Sequence, residues 1–91
     1  MASSKVEEKE KLDAIRKVLL EQWDPLGVRD EVMARDEYDS YLQKIIALLS
    51  KHASLEEIER YLGDIVSLDM GLVDVASRDR AAAISLIKLA I

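Results

Sequence analysis

Apolar residues recur in steps of three and four along most of this chain, and that period is the strongest constraint on its fold. Leu12, Ile15, Leu19 and Trp23 fall on one helical face, as do Tyr38, Leu42, Ile45 and Leu49, and again Leu55, Ile58, Leu62 and Ile65. A half-buried strand would instead alternate by twos. Interruptions are few, with one proline and three glycines. The pattern therefore predicts an all-α chain in a compact four-helix arrangement, with room for a fifth short helical turn between residues 27 and 35.

The breaks set the boundaries. A first helix is expected over residues 5–22, with Glu7, Glu8 and Glu10 near its positive end and Lys17 in its later half. It stops at Asp24-Pro25, because the residue before a proline is pushed out of helical geometry. Asp24-Pro25-Leu26-Gly27 has the residue preferences of a type I turn. The stretch from Val28 to Arg35, with Val32 and Met33 in it, is apolar enough to predict a packed connection.

A second helix is expected from Asp36, as side-chain N-cap with Asp39 completing a capping box, to Lys51 and His52. Its stripe is widened by Tyr41, Ile46 and Leu48, which predicts a central position. Ser54-Leu55-Glu56-Glu57 is a capping box for a third helix, and Gly71 a left-handed cap at its end. Gly63 inside that helix predicts a close approach by a neighbouring backbone or a slight bend. A last helix follows, with Asp74 or Ser77 as N-cap and residues 81–91 as a body so apolar that burial on more than one side is expected, within the chain or against another subunit.

Ninety-one residues make one domain, 1–91, with residues 1–5 expected to be disordered. The absence of cysteine removes any disulfide framework and permits a reducing compartment. Met1 to Glu8 has no apolar core for a signal peptide, and no tract reaches the ~20 apolar residues a membrane span needs. A cytoplasmic location is the expectation. The net charge of −5 argues against binding nucleic acid through a basic surface.

Trp23-Asp24-Pro25-Leu26, a connection, Asp36-Glu37-Tyr38, and then a helix followed by Ser54-Leu55-Glu56-Glu57-Ile58 resemble a family of small, uncharacterised bacterial helical domains with a Trp-Asp-Pro and Asp-Glu-Tyr signature. The resemblance covers the chain from about residue 12 onward. It implies a compact helical fold in a bacterial cytoplasm and carries no activity with it.

Candidate chemistry centres on carboxylates. Asp24, Asp36, Glu37 and Asp39 are hard oxygen ligands of the type magnesium or calcium takes, which leaves open a divalent-metal or hydrolytic protein. The same residues also serve as turn and cap residues, so no metal or cofactor is required. Trp23 reads as a core anchor whose indole N–H finds a partner, and Tyr38, Tyr41 and Tyr61 as core-edge residues. His52 has no histidine or cysteine to complete a metal set or a nucleophilic pair. The expectation is a non-enzymatic protein–protein interaction module with no cofactor, no nucleic acid and no membrane. It would self-associate through the last helix, with Ile84, Ile87 and Ile91 as contacts, or offer an acidic face including Glu31 and Glu37 to a basic partner.

Overall fold

The computed structural model describes residues 3–34 and 36–89. They form four α-helices with tight turns between them, and no strand occurs among the described residues: α1 (Ser3–Val18), α2 (Leu42–Ser50), α3 (Leu55–Asp64) and α4 (Ala76–Ile87). The fifth helical turn is present as a 3₁₀ turn, Val32–Ala34. Met1 and Ala2, two of the five residues expected to be disordered, lie outside the described residues, and α1 begins at Ser3.

Two helices change pitch where the core demands it. α1 runs on into a wider π-type turn over Leu19–Trp23, closed by the Asp24 N–H donating to the Leu19 carbonyl at 2.7 Å. The extra residue per turn keeps Leu19, Leu20 and Trp23 all buried. α3 does the same over Ile65–Asp69, which buries Ile65 and Val66. Asp24, in the left-handed region at φ 37°, ends the first element, and Pro25 prevents resumption. Gly71, at φ +65°, ends the second, with the Leu72 N–H returning to the Val66 carbonyl.

The core is assembled from the predicted stripes: Ile15, Leu19 and Trp23; Tyr38, Leu42, Ile45 and Leu49; Ile58, Leu62 and Ile65; and Ala82, Ala83 and Leu86 of α4 are all buried. The small alanines let α4 lie close against α3, its most extensive neighbour, and against the π-type turn. The result is a slab of 43 × 32 × 19 Å.

Several expectations are corrected. α2 packs chiefly on α1, whereas α4 has the broader set of neighbours in α3, the π-type turn and α1. No side chain caps α2: the chain reaches it through a 3₁₀ turn, Asp39–Tyr41, and Asp39 turns to Arg16 instead. Neither Asp74 nor Ser77 caps α4, whose N-cap is Val75. The connection after Gly27 half-buries Val28 but leaves Val32 and Met33 76% and 94% exposed, because its backbone is spent on successive tight turns that fold no apolar face inward. α4 buries one side only, with Ile84 and Ile87 left 37% and 42% exposed. Ile91 lies outside the described residues.

Candidate functional site

Trp23 is the hub of a polar line that crosses the core. Its ring meets Tyr38 edge-on at 5.1 Å between centroids, and Tyr41 at 6.5 Å. On one side, the Tyr38 hydroxyl donates to Asp24 Oδ1 at 2.7 Å and accepts from the Leu26 N–H at 3.0 Å. Asp24 also accepts the Val28 and Arg29 amides, at 2.8 and 3.1 Å. Burial, with the hydrogen bond to Asp24 second, holds the Tyr38 phenol well above its ordinary range. Trp23, Asp24 and Tyr38 thus bind one another and fix the turn that leads out of α1.

On the other side the indole Nε1–H donates to Asp79 Oδ1 at 2.9 Å. Asp79 is 2% exposed, the one buried charged-type residue among those described. Its carboxyl also hydrogen-bonds Asp74 on the connection before α4. Both carboxyls lie over Gly63: a Cβ there would stand 2.9 Å from Asp74 Oδ2 and 3.2 Å from Asp79 Oδ2. The close approach that Gly63 predicts is real, but it comes from these side chains and not from a backbone. Burial first, then the Asp74 hydrogen bond, pushes Asp79 up to about 7, against the smaller opposing pull of the Trp23 N–H and of the Arg78 charge.

Asp79 was legible only through α4's register. Its neighbours Arg78 and Arg80 suggest a solvated face, yet Asp79, Ala82, Ala83 and Leu86 follow helical steps and are all buried.

The predicted carboxylate set does not converge. Asp24 is committed to Tyr38 and the two amides; Asp39 grips Arg16 through two bonds, Nε–Oδ1 at 2.8 Å and Nη2–Oδ2 at 2.9 Å. Arg16 also donates to Asp13 at 2.6 Å, and the Asp39 hydrogen bond leads the causes that raise it. Asp36, Glu37 and Glu31 are exposed. Among the described residues, no group of three or more histidine, aspartate or glutamate side chains is arranged to hold a metal ion.

Clefts mark the surface formed by the described residues. One of about 670 Å³ is lined by Asp13, Arg16, Lys17, Leu20, Glu21, Arg29 and Asp30. One of about 360 Å³ lies over Gly63, Asp74 and Asp79 and is rimmed by Glu56, Glu59, Arg60 and Asp64. One of about 270 Å³ sits between α1 and Leu89. His52 is exposed at φ 57°, the left-handed residue that closes α2, with the His52 N–H bonded to Leu49 and the Ala53 N–H to Leu48. Its position is a helix stop.

No protein-family model, curated protein or solved structure matches the chain. Among the described residues no helix is long and apolar enough to cross a membrane.

Proposed function

We propose that the protein is a non-enzymatic cytoplasmic interaction module of bacterial type, and that it docks a basic protein partner through Val32 and Met33 and the acids Asp30, Glu31, Asp36 and Glu37 that flank them. The observation that carries this reading is the exposure of Val32 and Met33, 76% and 94%, on a short turn bracketed by exposed Asp30, Glu31, Asp36 and Glu37. Apolar side chains held in water inside an acidic rim match an interface with a desolvated centre and charged edges. The rim would steer a cationic partner and the pair Val32–Met33 would bury on contact. Asp24 and Asp39 are withdrawn from that face by their internal partners, so Glu31 and Glu37 carry the charge. A divalent-metal or hydrolytic role would require Asp24 and Asp39 to give those partners up.

A second reading has its own observation. Ile84 and Ile87, one turn apart on α4, are half-exposed and suit self-association.

Capture from native cell extract at low salt tests the first reading. A basic partner should be retained by the wild type, lost in high salt, and weakened about tenfold or more by Val32→Ser with Met33→Ser. Capture indifferent to those substitutions and to Glu31→Lys with Glu37→Lys would refute docking at this stretch. A monomeric mass by light scattering at high protein concentration would remove self-association.

A further inference from the structure

We propose that Asp74 and Asp79 form a proton-operated clasp, which holds the 71–75 connection against Gly63 while the two carboxyls share a proton and frees it when that proton leaves for solvent. Three geometric facts carry this. Asp79 is fixed: it is 2% exposed and its Oδ1 is held by the Trp23 indole at 2.9 Å. Asp74 is on the movable side, in a connection whose residues 71–75 are all exposed. The two Oδ2 atoms converge on one point, both within 3.2 Å of where a Gly63 Cβ would stand. Two carboxylates gathered at one site repel when both are ionised, whereas a carboxyl O–H on Asp79 donating to Asp74 makes the approach favourable.

Little else pins the connection. Among the described residues its remaining ties are at its two ends, the Leu72 N–H donating to the Val66 carbonyl at 2.9 Å and the Val75 carbonyl accepting from the Arg78 and Asp79 N–H groups at 3.0 and 3.3 Å, and no other side-chain hydrogen bond reaches residues 71–75. Deprotonation therefore sends Asp74 outward while Trp23 retains Asp79.

The charges around Asp79 leave this balance in place. On α4, Arg78 favours the ionised form, and Arg80 is drawn to Glu59 at 3.6 Å. From α3, Glu56, Glu59, Asp64 and Arg60 rim the cleft, three acids against one base. The π-type turn after α1 contributes the neutral Trp23 N–H, while its Glu21 lines a different cleft. The charged residues α1 brings toward α4, Glu7, Glu10 and Lys11, lie with Leu89 at the far end of the helix. Burial and Asp74 together hold the Asp79 proton to about pH 7, which places the clasp's transition in the neutral range.

The test is a carbon-13 NMR titration of the aspartate carboxyls from pH 4 to 9, with amide exchange and chemical shifts followed at residues 72–76. Asp79 is expected to titrate near 7, with the amides of Val73 to Ala76 moving through the same midpoint and Leu72 losing about tenfold or more of its protection across it. Asp79→Asn, whose carboxamide accepts from Trp23 and donates to Asp74 at every pH, should hold the connection's signals constant over the range. An Asp79 midpoint in the ordinary carboxylate range overturns the clasp. So does a neutral midpoint that leaves residues 72–76 unmoved. The wild-type titration decides alone should the variant fail to fold.

Discussion

A single hydroxyl shows how this fold uses polar atoms. Tyr38 is fully buried as a ring, yet its oxygen both donates to Asp24 and accepts from Leu26, so that it ties the start of the connection to the beginning of the next helical segment. Tyr38→Phe would keep the edge-on contact with Trp23 and remove only these two bonds, leaving the Leu26 N–H without its partner. The expected cost is about 1–3 kcal/mol, the range for an unmade bond in a partly buried place. Urea unfolding followed by the fluorescence of Trp23, the sole tryptophan, measures it. A loss within a few tenths of a kcal/mol would mean the hydroxyl does no more than fill space. The same residue scale explains what was legible beforehand. Trp23 was readable as an anchor because a large ring at the end of an apolar stripe has few other places to go. Its partner was not, because Asp79 sits between two arginines and only the register of α4 distinguishes it from a surface acid.

At the scale of the element, periodicity located all four helices, and the Ser54 cap is made as expected, accepting from the Glu57 N–H at 3.1 Å. What stayed hidden was each place where tertiary contact outbid a local signal. Asp36 and Asp39 have capping spacing, but a guanidinium within reach offers Asp39 two charge-assisted bonds where a cap offers one. The connection around Val32 and Met33 looked packable by composition, whereas its run of tight turns leaves both outside. Gly63 sits between these cases, since the sequence showed that something comes close without showing what. In an exposed helix interior, glycine to alanine brings about 1 kcal/mol of stability. Gly63→Ala should not bring that gain, because its methyl would meet Asp74 Oδ2 at 2.9 Å and Asp79 Oδ2 at 3.2 Å. Thermal unfolding at pH 5, where the carboxyls are held together, should show no rise in Tm. A full gain would indicate that the two carboxyls are not held there.

For the molecule as a whole, the buried acid makes stability depend on pH in a direction opposite to the usual carboxylate. An acid in an ion pair has a lowered native pKa and favours folding above it. Asp79 is raised, from an ordinary value of 3.8 to about 7, so between those limits the native chain holds a proton that the unfolded chain has released. Its contribution is therefore complete below about pH 4, declines as pH rises through 4 to 7, and is level above. Groups away from the Asp74–Asp79 pair, the Arg16–Asp39 pair among them, impose their own slopes, but these are common to the wild type and an Asp79→Asn variant and cancel in the difference. The carboxamide keeps an acceptor for Trp23 and has no proton to lose. Going from pH 5 to pH 8, Asp79→Asn should gain about 2 kcal/mol on the wild type, the free energy of carrying an ionised carboxyl in the core. Chemical denaturation of both proteins at the two pH values reads this directly. Parallel behaviour would show that native Asp79 is already ionised at pH 5, with Asp74 already released from its place over Gly63.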